Sequence, residues 1–167
     1  MTTPALVPAT LDSVTRLRSA NGPALLLALA LSAGVAGCGG PVVLLPGGAL
    51  EGKAAETPDS WAFTDAVNTV QLETRPADPY SVNIWVIALD ENLYVHAGDN
   101  RAAWVENLEA DPNVRLQVND SIYELSAARV ETQAEFDRFS DAYEQKYDRR
   151  PGNENVAEAY LFRLAAR

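Results

Sequence analysis

From residue 67 onward, apolar and polar positions alternate in short runs separated by turn residues, the pattern of a β-rich domain. Val67 to Arg75 interleaves β-branched and polar residues and is closed by Pro76 and Pro79, which predicts a strand. Ser81 to Leu89 predicts a second strand, Asp90-Glu91-Asn92 a tight turn, and Leu93 to His96 a third strand pairing back as a hairpin. Gly98-Asp99-Asn100 breaks that strand and supplies an N-cap for a helix over Arg101 to Ala110, in which Ala103, Val105 and Leu108 sit among charged neighbours. Asp111-Pro112 stops the helix. Val114, Leu116 and Val118 then alternate with Arg115 and Gln117, Asn119-Asp120 turns, and Ile122 to Val130 returns as a second hairpin.

Thr132 and Glu135 have the spacing of a capping box ahead of Phe136, Phe139, Tyr143 and Tyr147, an aromatic stripe at helical spacing expected to pack in the core. Arg149-Arg150-Pro151-Gly152 ends that helix, and the two arginines read as its solvated end. Tyr160 to Leu164 predicts a last strand, entered from a short helix begun at Asn155. The sum is a mainly β chain with α, a small barrel carrying helices.

The first third of the chain reads differently. Arg16 and Arg18 precede Pro23 to Ala36, an uncharged apolar run too short for a comfortable bilayer span and suited to a signal-peptide core. It runs into Val35-Ala36-Gly37-Cys38, which resembles the lipobox of bacterial lipoproteins. That resemblance implies a leader over residues 1–37, a lipidated Cys38 whose acyl chains anchor the protein in a membrane, and, because Gly39 follows, sorting to the outer membrane facing the periplasm. Residues 38–59, rich in Gly, Pro and Ala, are expected to be a flexible tether, and 60–167 the barrel domain.

Composition narrows the chemistry. The 167 residues carry 13 Lys+Arg against 23 Asp+Glu, a net charge of -10, which argues against nucleic acid as a partner. One Cys excludes a disulfide framework and multi-Cys metal sites. A single His, His96, excludes His-cluster metal sites, so no metal centre is expected.

The stretch Trp104 to Leu116, with Asn107-Leu108 and Asp111-Pro112, resembles the helix-to-strand passage of the split β-barrel flavoproteins, the pyridoxamine 5′-phosphate oxidase superfamily, nearest its deazaflavin-dependent nitroreductase branch. Leu93 to Gly98 is similar to that family's strand into its phosphate-binding loop. The resemblance covers roughly Val67 to Leu164. It implies a six-stranded split barrel with two or three helices, often a homodimer, holding FMN or the deazaflavin F420. Carried over by position, His96, Gly98, Asn100 and Arg101 are the phosphate-loop equivalents, and Asn83 and Trp85 face the ring. Trp104 is a core or dimer-interface aromatic that can stack on a planar ligand. Arg75 has two roles open to it, reaching a phosphate or pairing with Glu73 or Asp78. Tyr80, Tyr160 and Arg163 are placed by the same resemblance near the cleft.

Two functions remain open from the sequence. One is an envelope lipoprotein with a flavin- or deazaflavin-binding, nitroreductase-like oxidoreductase domain. The other is a cofactor-free split-barrel lipoprotein that binds a small planar ligand or an envelope partner, a reading favoured by Asp99 in the loop.

Overall fold

The structure, a computed structural model, describes residues 45–167. Cys38, the expected leader and the first part of the expected tether lie outside the described residues. The elements are β1 (Lys53–Ala54), β2 (Thr69–Thr74), β3 (Tyr80–Trp85), β4 (Ile87–Leu89), β5 (Asn92–His96), α1 (Ala103–Ala110), β6 (Asn113–Val118), β7 (Ser121–Arg129), α2 (Gln133–Tyr147) and β8 (Leu161–Ala166). Short 3-10 turns at Ala62–Ala66 and Val156–Glu158 precede β2 and β8.

The strands hydrogen-bond in the order β3-β2-β6-β7-β8-β5-β4. β3 and β4 are one chain run broken only at Val86, so the path starts and finishes on the same bent strand. The sheet thereby curls into a six-stranded split barrel, as the resemblance implied. At the break, α2 replaces the lost ladder partners. The Val86 N–H donates to the Tyr147 hydroxyl (3.0 Å), and the Val86 carbonyl accepts from Lys146 Nζ (2.8 Å) and Tyr147 (2.9 Å). A buried backbone pair that would otherwise be unsatisfied is thus paired through side chains.

Alternation decides which side chains face inward. Val70, Leu72, Ile84, Leu93, Val95, Val114, Leu116 and Leu164 fill the barrel with Trp61 and, from α1, Trp104, Val105 and Leu108. A second core lies beneath α2, where Phe136 and Phe139 pack on Ile87, Tyr94 and Leu161. The two hairpin turns are two-residue loops whose first residues, Asp90 and Asn119, are left-handed (φ 55° and 54°), a conformation these short polar side chains tolerate.

Three local expectations are corrected. α1 begins at Ala103 rather than Arg101, because Asn100 is used in a turn: its N–H donates to the Ala97 carbonyl and its carbonyl accepts from the Ala102 N–H. The capping box does not form. The Thr132 side chain caps nothing, and Glu135 instead accepts from the Tyr94 hydroxyl (2.9 Å) and the Arg163 guanidinium (2.9 Å), partners from distant strands.

The third correction concerns the tether, whose described part, 45–59, is bound to the barrel. Gly47 bridges to Ser81, the Ser81 hydroxyl donates to the Gly48 carbonyl (2.7 Å), and Lys53–Ala54 pairs with Ser121–Ile122 of β7. Between these points Leu50 is buried, and its N–H donates to Glu73 Oε2 (2.6 Å). Arg115 grips both oxygens of Glu73 (3.0 Å each) and reaches the Leu50 carbonyl (3.3 Å). A fully buried carboxylate is stable only when matched in this way. Gly52 permits the crossing, since a Cβ there would lie 2.9 Å from the Asp120 carbonyl.

Candidate functional site

The outer face of β3-β2-β6 carries the side chains that alternate with the core set, and the strand register aligns them in rows. Ser81, Glu73 and Arg115 form one row, lying under the strap just described. The next row, Asn83, Gln71 and Gln117, opens into a groove of about 800 Å³, within the size range of small-molecule sites. Thr69 and Trp85 extend the row structure toward α2, whose Phe139 and Tyr143 form the opposite wall with Ile87, Tyr94 and His96.

The lining combines flat aromatic surface with amides and contains no Asp, Glu, Lys or Arg. Trp85 is 40% exposed and stacks on Tyr147 at 4.4 Å with an interplanar angle of 17°. Tyr143 lies 5.9 Å from Trp85 and 6.2 Å from the His96 ring, so the aromatic contacts run without a gap from the surface to the imidazole. α2 presents these rings because its three-and-four spacing sets Phe136 and Phe139 in the core and rotates Tyr143 and Tyr147 toward the rim.

His96, at the end of β5, is the unusual group. Its Nε2 is buried without a hydrogen-bond partner. Burial also lowers its pKa to about 4, so the imidazole is neutral at neutral pH. The Tyr94 hydroxyl is pushed up to about 12, by burial first and by the Glu135 carboxylate second, and stays protonated. Burial likewise raises the Tyr143 hydroxyl. The groove is therefore an uncharged, hydrogen-bonding, aromatic slot.

Of the residues expected at a site, the fold brings Asn83, Trp85 and His96 together and leaves the others elsewhere. Arg101, in the loop before α1, is more than half exposed and pairs with Glu109 (2.7 Å) and Glu106 (3.8 Å) of that helix. Asn100 lies in the turn before α1, its backbone N–H and carbonyl both used there, and outside the groove lining. Gly98 is left-handed (φ 64°), and its carbonyl accepts from the Tyr160 N–H (2.7 Å), so its need for glycine is a backbone one. Trp104 is a core residue, edge-on to Phe162 at 5.8 Å. Arg75 takes the second of its two roles, pairing with Asp78 (3.0 Å). Tyr160 lies under the Arg129 guanidinium (4.4 Å), Arg163 holds Glu135, and Tyr80 packs against the core, 5.8 Å from the Arg75 guanidinium.

The motif residues that carried the resemblance prove architectural. Asn107 donates to the Thr74 hydroxyl (2.9 Å), tying α1 to β2. Asp111 accepts from the Asn113 backbone (3.0 Å) and side chain (2.7 Å) to form the turn around Pro112. Gln71 and Gln117 were not legible as site residues, since an isolated strand shows them only as polar alternation. Arg149, whose guanidinium sits 5.9 Å from the Trp85 ring centre, read as a solvated helix end.

The architecture has known counterparts. A candidate pyridoxamine 5′-phosphate oxidase of Listeria innocua superposes with a TM-score of 0.50 at 13% identity, covering 62% of this chain and 87% of that one. A conserved hypothetical protein of Mycobacterium tuberculosis gives 0.51 at 18% identity, covering 68% and 86%. A candidate 5-nitroimidazole antibiotic resistance protein of Bacteroides thetaiotaomicron gives 0.50 at 14%, covering 62% and 75%. The fold is a split β-barrel. Within this split barrel, residues 86–153 match the F420H(2)-dependent quinone reductase family, a span holding Ile87, Tyr94, His96, Phe139 and Tyr143 of the groove wall. No curated protein shows significant similarity to the chain.

Proposed function

We propose that the protein is a flavin- or deazaflavin-dependent oxidoreductase whose cofactor ring occupies the groove between the amide row and α2. The observation that carries this reading is the buried, unpartnered Nε2 of His96 in the lining of an uncharged aromatic groove. A buried polar atom without a partner costs about 1–3 kcal/mol, and a heteroaromatic ring with a polar edge would relieve it. The residues present fit such a ring. Trp85, Tyr143 and Phe139 offer faces and edges for a planar system, while Gln71, Asn83 and Gln117 offer the mixed donors and acceptors that a pyrimidine-dione edge requires. Similarity to the F420H(2)-dependent quinone reductase family over residues 86–153 supports F420 as the first cofactor to try and a quinone as the first acceptor, with nitroaromatics second.

When bound, the cofactor supplies hydride transfer. The chain's own side chains bind and orient the ring, exclude water through the aromatic wall, and hold a neutral imidazole at the end of β5. His96 gives or takes one hydrogen bond without adding charge, and its low pKa keeps it from competing for protons at neutral pH. Homodimerisation that closes the open side of the groove belongs to the same proposal.

The protein isolated from its native source should show flavin or deazaflavin absorbance, and FMN or F420 at a hundred times its dissociation constant should stabilise it by about 2.7 kcal/mol in a thermal melt. A colourless protein whose melting is indifferent to both would overturn the proposal. A second reading, a cofactor-free barrel binding a neutral planar ligand, draws on the ion pairing of Arg101 and the absence of any cation from the groove lining. It is favoured if tailless aromatic rings bind and FMN and F420 do not.

The proposal includes an address, an envelope lipoprotein anchored through Cys38. Cys38→Ala should move the protein from the membrane fraction to the soluble fraction; a variant that stays with the membrane would remove the anchor.

A further inference from the structure

We infer that Arg149, at the C-terminal end of α2, is the anchor for a negatively charged tail on the groove's ligand, and that it gives the site a preference for phosphorylated over tailless rings. The inference rests on the ring-binding proposal above and adds the ligand's charge and exit direction to it.

Three observations meet at this residue. The groove lining is uncharged, so a ligand's anionic group must be met outside it. Among the described residues every arginine except Arg149 is within ion-pair distance of a carboxylate, Arg138 with Asp90 and Arg150 with Asp141 and Glu144 being the nearest in sequence. Lys146, at the same end of α2, spends its ammonium on the carbonyls of Thr64 and Val86 (2.8 Å each). The full sequence has a net charge of -10, yet among the described residues one exposed guanidinium is left without a carboxylate, and it stands against the face of Trp85, a groove-wall ring.

Its charge is felt inside the groove. The Arg149 guanidinium lowers the Tyr143 pKa, opposing the larger effect of burial. A group that acts on a wall residue at this range can act on a bound anion. The planar guanidinium can fork two phosphate oxygens while remaining against the indole. This places the anion at the α2 end of the groove, beside Trp85. The loop after β5 is the other end of the question, and there Arg101 is already neutralised by Glu109 and Glu106.

The test compares ligands that share a ring and differ in the tail: riboflavin with FMN, and 8-hydroxy-5-deazariboflavin with F420, titrated by ligand fluorescence into the full chain. The expected result is that at least one phosphorylated ligand binds about tenfold more tightly than its tailless partner. Arg149→Ala should bring that ratio close to one while leaving the tailless ring's affinity and the melting temperature unchanged, and Arg149→Lys should recover part of it. Arg150→Ala, which removes a guanidinium already paired with carboxylates, should leave the ratio as it was. A ratio that survives Arg149→Ala, or a parent protein that does not distinguish the two ligands, overturns the anchor and leaves the ring-binding reading standing. Failure of all four ligands to bind overturns both.

Discussion

The outer face of β3-β2-β6 is one surface with two fates. In the row Ser81-Glu73-Arg115 the strap crosses the strands, and every polar group it buries is matched: Glu73 by the Leu50 N–H and by Arg115, Ser81 by the Gly48 carbonyl. One row further along, Gln71, Asn83 and Gln117 border an open groove, and the nearby His96 keeps a buried nitrogen with no partner. The same strands and alternation produce both rows. The difference is whether the chain supplies its own cover, and an uncovered polar row beside a cavity, with one buried imidazole nitrogen left unmatched, is what a ligand site requires.

The largest expected effect tests the covered half. Glu73→Ala leaves Arg115 and the Leu50 N–H without their partner and should cost about 3–5 kcal/mol in denaturant unfolding, with fast hydrogen exchange at Leu50. The double variant Glu73→Leu with Arg115→Met should recover much of that loss, because removing both charges is far cheaper than stranding one. If the single substitution is silent, the strap is not held by this pair and the contrast between the halves fails.

The next effect belongs to the open half. The folded pKa of His96 is depressed to about 4 from an ordinary 6.5, so between those values the unfolded chain binds the extra proton. Stability from this group is therefore fully present above pH 6.5 and is lost as pH falls toward 4, a change of roughly 3 kcal/mol. His96→Phe should flatten that part of the pH profile, raise stability at neutral pH, and weaken flavin or F420 binding. Stability gained with binding unchanged would make the imidazole a structural residue only. The smallest expected effect is at the loop after β5. Arg101→Ala should leave both the melting temperature and ligand affinity near their parent values, because the side chain is exposed and already paired with carboxylates of the adjoining α1. A large loss of affinity would return the anion site to that loop.

Much of the barrel was legible because it depends on local signals that tertiary structure had no reason to override. Val114, Leu116 and Val118 alternate in the sequence and line the core, Asp90 and Asn119 mark the hairpin turns, and Asp111-Pro112 stops α1. Asn83 and Trp85 were expected beside a ring and His96 in a phosphate loop, all through resemblance and strand position, and the three line one groove. Where reading failed, a long-range partner had won. Glu135 chose Tyr94 and Arg163 over the cap of its own helix. Arg101, just before α1, found Glu109 near that helix's far end. The expected flexible tether carries Leu50, which Glu73 and Arg115 hold from 23 and 65 residues further along the chain.

The sequence by itself determined the elements and their inward faces, since hydrophobic periodicity, turn residues and the short reach of backbone hydrogen bonds are properties of neighbouring residues. The tertiary structure alone decided which polar residues meet. Register set Gln71 between Asn83 and Gln117, closure of the barrel brought α2 against the bend at Val86, and the distribution of carboxylates left Arg149, among the described residues, as the guanidinium without a carboxylate partner, beside the groove. Charge pairing and cavity shape depend on distances between residues far apart in the chain, and only folding sets those distances.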